Sequence, residues 1–410
     1  MTHRERLLAA IRGDAVDCLP WAPRMDLWYI ALQARGQLPP RYAGLDTAGI
    51  ADALGVACHA VRADYTLARD PSELALRALG VDNHCDYPYR VELHGMPWDF
   101  DVDAESVRTV FHTCAGDIVT ELKHTTAMRR EGISLPFVLS YPVQSSADLE
   151  AVAQIFDHLE VVPTPDAYAA FQRRIGDRGL AVATGPIAAS PLHLLLHDLT
   201  AMDQFFYLHA DCRPELLELA ARMEPFFEAA LDAVVACDAE VVFWGANYDQ
   251  NLTWPPFFAE HIVPWLQRVA ARLHDAGKYL LTHTDGENEA LLPLYPRCNF
   301  DVAESVCPPP MTRCGLARVR DALAPHAAVW GGIPSVALLP ESMSDGEFET
   351  CLDELFHELG SGERVILGVS DNVPPDADLT RLRRIGERVE DFGPVTPHRD
   401  ADAASPGRLS

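Results

Sequence analysis

The sequence lacks any run of about 18 apolar residues, the least that a membrane-spanning helix needs. Its charged start, MTHRERLLAAIRGD, carries no apolar stretch of signal-peptide type. The expectation is a cytoplasmic protein without targeting or membrane segment. Basic residues are scarce: 33 Lys and Arg stand against 60 Asp and Glu, a formal charge of −27. That argues against nucleic acid and anionic membrane as partners, because both need basic surface. The ten cysteines include no C-x-x-C pair, so they read as reduced thiols, with Cys307 and Cys314 structural. No G-x-G-x-x-G, G-x-x-x-x-G-K-[ST] or G-x-S-x-G occurs, which removes the usual dinucleotide, P-loop and serine-elbow readings.

What is present is ample apolar material. Hydrophobic residues make up 48% and charged residues 23% of the 410, which excludes disorder of the whole chain. The first 80 or so residues read as helices at Arg4 to Ile11, Met25 to Ala34 and Thr47 to Leu54. Residues 88 to 120 read as a short antiparallel ribbon. From about residue 178 short apolar runs alternate with amphipathic helices. The runs are Leu180–Thr184, Glu240–Trp244, Lys278–Thr282, Phe300–Ala303, Ala327–Trp330 and Arg364–Leu367. The helices between and after them include Phe257–Ala276, Glu287–Tyr295, Gly315–Leu323, Asp345–Leu359 and Leu379–Phe392. Strands separated by helices imply a parallel α/β sheet. The residues after about 394 carry no apolar pattern and are expected to fray.

Polar residues and glycines follow each run, as in Gly245–Asp249, His283–Gly286, Glu304, Gly331–Gly332 and Gly368–Asn372. Chemistry at the carboxyl ends of many successive strands fits a barrel better than a doubly wound sheet with one switch point. Residues two apart in an extended segment face the same way, so His283 and Asp285 share one side. Such a pair binds a divalent metal, works as acid and base, or closes a loop by a local hydrogen bond. Glu304 either joins that pocket or faces solvent, and Asp371 is either a third carboxylate or a cap. Asn247 and Asp249 either bind substrate or shape their turn. Arg24, near Trp21 and Trp28, either pairs with an anionic substrate or forms a surface salt bridge. His193, His197 and His209 fall in helical stretches and read as packing or surface residues.

The ordered series RERLLAAIRGDAVDCLP, PRMDLWY, Gly185–Pro186, GANYDQNLTWPPFFAEHIVPWL, GKYLLTHTDG, WGGI and ILGVSDNVPPDA resembles the uroporphyrinogen decarboxylase superfamily. The resemblance spans roughly residues 3 to 393. It implies a (β/α)8 barrel over residues 81–393, a helical extension over 1–80 packed on it, and a tail over 394–410. The decarboxylases themselves carry an arginine-rich R-Q-A-G-R type motif, where this chain has Pro23-Arg24-Met25-Asp26, so the corrinoid-linked methyltransferase branch is the nearer one. That branch holds zinc with H-x-C and a second Cys. Here His283 matches, Asp285 replaces the first Cys, and Ser370 stands near the second position beside Asp371. The resemblance implies a methyltransferase moving a methyl group between a small methylated substrate and a partner corrinoid protein, with a divalent metal, zinc first. His283, Asp285 and Glu304 are the expected metal ligands, His283, Asp285 and Asp371 the catalytic groups, and Arg24, Asn247, Asp249 and Ser370 the substrate contacts. The alternatives are a small-acid decarboxylase and a non-catalytic ligand-binding barrel.

Overall fold

The computed structural model describes residues 1–61 and 70–397. Eight short strands carry the architecture: β1 (Cys58–Ala60), β2 (Gly179–Ala181), β3 (Ala183–Thr184), β4 (Val241–Phe243), β5 (Tyr279–His283), β6 (Val302–Val306), β7 (Ala328–Pro334) and β8 (Val365–Ser370). Strands β3 to β8 form one parallel sheet in chain order. Helices such as Arg213–Ala236, Val263–Asp275, Leu316–Leu323 and Asp345–Glu358 supply the crossovers. The expected alternation of strand and helix is therefore present.

Both ends of this sheet meet more extended chain. On the β8 side, Trp21 bridges Leu367 in parallel. Ala22 N donates to Leu367 O at 2.9 Å, and Leu367 N donates to Pro20 O at 2.8 Å. The other edge of that segment receives Ala57 N on Trp21 O at 2.9 Å. Strand β1 then pairs in parallel with β2, and Val182 N donates to Ala60 O at 3.0 Å. The segment expected as a helical extension thus contributes two extended pieces, one beside β8 and β1 beside β2, besides its helices His3–Arg12, Asp26–Arg35 and Thr47–Leu54.

Side chains alternate across the strands, and the sheet separates two cores. One face gathers Ala22, Ala57, Leu180, Val182, Val241, Phe243, Leu281, Val302, Trp330 and Ile366 with Leu7, Leu8 and Ile11 of the first helix. The other packs Val242, Leu280, Ala303, Val329 and Leu367 against the helices. Burial of a side chain such as Phe243, fully enclosed, is worth about 1.5–3 kcal/mol. The Phe243, Leu281, Val302 and Trp330 register decides which strand-end residues point to the first face.

Three expectations change. Helix Glu287–Tyr295 does not form. Its residues make turns, and only Tyr295–Cys298 is helical. Pro293 and Pro296 lack N–H donors, and the Asn288 amide takes the carbonyls of Thr284 and Gly286 instead. The short ribbon is a larger insertion: Trp98–Val102, Ser106–Thr113, Gly116–Lys123 and Phe137–Ser140 form a four-stranded antiparallel sheet, and Tyr89–Leu93 pairs with Leu159–Pro163. Val395, expected in a frayed tail, is buried and pairs with Val16. The rest of that tail, from residue 398, lies outside the described residues. Among the described residues no helix is long and apolar enough to cross a membrane.

Candidate active site at the carboxyl ends of the strands

His283 closes β5 two residues after Leu281, so its side chain joins the inner face and is 1% exposed. Glu304 stands two residues after Val302 and is its neighbour in register across β5 and β6. The two side chains meet: His283 Nδ1 and Glu304 Oε2 are hydrogen-bonded. The second oxygen of Glu304 lies 3.1 Å from His59 Nε2, and His59 reaches the same face because it follows Ala57 by two. Strand β6 breaks register between Glu304 and Val306, where Ser305 has φ 64°. Such a bulge re-aims the chain at a strand end.

The other ring nitrogen of His283 faces two aspartates. Nε2 lies 3.5 Å from Asp285 Oδ1 and 3.7 Å from Asp371 Oδ1. Asp371 in turn accepts from Arg24 Nη1 at 2.7 Å, and Arg24 Nε lies 3.1 Å from Asp26. A chain of side-chain contacts therefore runs His59, Glu304, His283, Asp371, Arg24, Asp26. One ligand atom each from His283, Glu304 and Asp371 falls within 4.8 Å of the others.

Burial alone would lower the His283 imidazole, but the Glu304 and Asp285 carboxylates outweigh it and raise it to about 10. Burial would raise Glu304; the imidazolium of His283 wins and holds it well below the usual carboxylate range. Cys307, just beyond β6, is pushed up to about 12, first by burial and then by Asp285 and Asp371.

The donor set suits a divalent cation. Two ligands of one tetrahedral ion, each about 2.1 Å from it, lie about 3.4 Å apart, close to the spacings from Nε2 to Asp285 and Asp371. The histidine is also held through its other nitrogen by a carboxylate, the usual support of a metal-bound imidazole. Hard carboxylate oxygens hold zinc less tightly than thiolates do and also suit a harder divalent ion.

The remaining expected site residues fall into two groups. Asn247 sits at φ 60° on the loop after β4, half-buried, and its N–H donates to His283 O at 3.1 Å. Its side-chain amide donates to His197 Nε2 at 2.7 Å, and His197 Nδ1 meets Asp198 at 2.8 Å. Gly245 makes this loop possible: with φ 79°, a Cβ there would lie 2.0 Å from the Tyr248 hydroxyl. Asp249 is occupied locally, accepting from Glu287 N and Asn251 N. Ser370 is fully buried, donates to Val306 O at 2.6 Å and accepts from Gly332 N at 3.3 Å. It ties the ends of β6, β7 and β8 together. Arg24 is 4% exposed and engages two aspartates.

Sequence reasoning missed His59 and the His197–Asp198 pair. The alternation Val56, Ala57, Cys58, His59, Ala60, Val61 was a strand signal hidden inside a stretch read as helical. His197 lies on a single π-helical turn, Leu195–Leu199, whose outward aim toward Asn247 has no period in the sequence. The packing reading of His193 holds: it is buried against Tyr248 and accepts from Ala189 N.

No protein-family model matches the chain, and no curated protein sequence does. Among solved structures, a methyltransferase from Methanosarcina mazei superposes with a TM-score of 0.57 at 15% identity, covering 96% of this chain and 99% of that one. The likeness is one of fold.

Proposed function

We propose that the chain is a methyltransferase of the uroporphyrinogen decarboxylase-like superfamily, taking a methyl group from a small methylated compound and passing it to a corrinoid on a partner protein. The observation that carries this reading is His283, clamped through Nδ1 by Glu304 and presenting Nε2 to Asp285 and Asp371. The fold shared with a methyltransferase supports it. We further propose that the hydrogen bonds joining β8, residues 20–22, β1 and β2 complete an eight-stranded barrel, whose carboxyl-end face is the customary place for chemistry.

A divalent cation, zinc first, held by His283 Nε2, Asp285 and Asp371, would supply Lewis acidity to the departing heteroatom, and the reduced corrinoid would supply the nucleophile. The protein's own groups do the rest. In methyl transfer the bond from methyl carbon to heteroatom breaks, and the heteroatom keeps the electron pair. It must then be protonated. With Nε2 given to the cation, that proton comes from solvent water, while Glu304 keeps the ring oriented through Nδ1. Glu304 acts as the orienting partner, since both its oxygens meet imidazoles. Arg24 holds Asp371 in place, and Asn247, fixed by His197, contacts the substrate from the neighbouring loop. Asp249 and Ser370 shape the loops that carry these groups.

A lyase acting on a small acid fits less well, because Arg24, the buried guanidinium at the site among the described residues, already engages two aspartates. The test is a methyl-transfer assay with a reduced corrinoid and a panel of methylated ethers, amines and thioethers, followed by the corrinoid spectrum. Carbon dioxide release without a corrinoid requirement would instead establish the lyase.

A further inference from the structure

A cavity of about 580 Å³ lies away from His283, on the outer face of the sheet. Its wall is formed by Leu19–Trp21, by the carboxyl end of helix Thr47–Leu54, by helix Leu379–Phe392 and by the start of helix His3–Arg12. Trp21 belongs to the outer core, whereas its neighbour Ala22 belongs to the inner one. The cavity and the candidate active site are thus on opposite sides of the strands. Its size is that of a small-molecule site.

Two observations mark it as more than a packing gap. Trp21 is 6% exposed, and its Nε1–H has no hydrogen-bond partner. Buried indole N–H groups ordinarily find an acceptor. In front of it stands Gly386, inside helix Leu379–Phe392. A Cβ built on Gly386 would have Trp21 Nε1, at 4.0 Å, as its one close neighbour. Glycine is the poorest helix former after proline, and Gly386 lines the cavity together with Trp21.

The rim is basic in a strongly acidic chain. Arg41 and Arg383 line the cavity, both exposed, and neither makes an ion pair among the described residues. Arg41 lies over the Tyr42 ring at 4.7 Å, which steadies it at the edge. Arg6 is already matched with Asp17. Of the acids in the lining, Glu387 is matched with Arg384 at 3.2 Å, and Glu390 leaves one negative charge against the two guanidiniums.

We propose that this cavity binds a mid-sized amphipathic carboxylate. Its apolar body would lie on Trp21, Tyr42, Leu382 and Val389, an oxygen would accept from Trp21 Nε1, and its carboxylate would face Arg41 and Arg383. The site is independent of the methyl-transfer chemistry.

The test uses the full chain, labelled with ¹⁵N, and the probe 2-naphthoxyacetate, with its neutral amide as control. The Trp21 indole signal, one of seven tryptophans, is assigned with Trp21→Phe. A saturable shift of that signal is expected, at least tenfold weaker in Gly386→Leu and at least fivefold weaker in Arg41→Glu/Arg383→Glu. The amide should bind at least fivefold more weakly than the acid, and His283→Ala should bind like the parent. Gly386→Ala, which adds one methyl group, is the second variant should the leucine disturb folding. An unmoved Trp21 signal at millimolar probe, or unchanged binding in both Gly386 variants, would overturn the site. Equal binding of acid and amide would overturn its anionic character.

Discussion

The imidazole Nδ1 of His283 and the carboxylate of Glu304 are hydrogen-bonded side by side across two parallel strands, both almost wholly buried. One ring nitrogen is thereby committed to the protein, and the other is presented to Asp285 and Asp371.

Replacing Glu304 by Ala leaves a buried imidazole without its main counter-charge. The expected cost is about 3–5 kcal/mol, as for other broken buried pairs, read by chemical denaturation. Glu304→Gln keeps a hydrogen-bond acceptor and should cost less. In both variants the His283 imidazole should titrate well below its parent position of about 10, seen in an imidazole NMR titration.

Metal binding should depend on pH. A cation at Nε2 needs an unprotonated ring nitrogen, and His283 in the metal-free protein titrates near 10. Affinity for zinc should therefore rise about tenfold per pH unit below that value, with close to one proton released per ion. Calorimetry in buffers of different ionisation enthalpy reads both. Asp285→Asn and Asp371→Asn should each weaken binding by about tenfold or more. Arg24→Gln should strengthen it, because a competing positive charge leaves Asp371.

His193 gives a separate pH dependence. Its Nδ1 accepts from Ala189 N, so the folded protein needs the ring neutral, and burial depresses it from 6.5 to about 3. The unfolded chain takes up this proton first as pH falls. The contribution is complete above pH 6.5 and lost as pH drops from 6.5 toward 3, at about 1.4 kcal/mol per pH unit. His193→Gln should flatten that part of the stability curve.

Asn247 holds a left-handed backbone at φ 60°. Asn247→Gly should preserve the fold and lower methyl transfer through the lost amide. Asn247→Val should also destabilise by about 1–2 kcal/mol, since a β-branched residue is strained there. Thermal melts beside activity measurements separate the two effects.

Much of this was legible beforehand where the chain speaks in local periods. Helix Thr47–Leu54 and helix Leu379–Phe392 stand where the apolar spacing puts them, and the six parallel strands follow the expected order. His283 and Glu304 could be placed at strand ends from the runs that precede them. What could not be read was pairing across distance. Nothing local ties His59 to Glu304, or His197 to Asn247, because those contacts depend on which strands become neighbours. Strand β1 was hidden by its brevity, and helix Glu287–Tyr295 was lost to prolines and to the Asn288 side chain.

The central claim, methyl transfer through the His283 site, is tested most directly by the spectrum of a reduced corrinoid mixed with methyl donors and enzyme. The account predicts conversion to the methylated corrinoid with at least one small methylated donor, slowed a hundredfold or more in His283→Ala. Conversion at the same rate in that variant would contradict it, and so would turnover that releases carbon dioxide and leaves the corrinoid unmethylated.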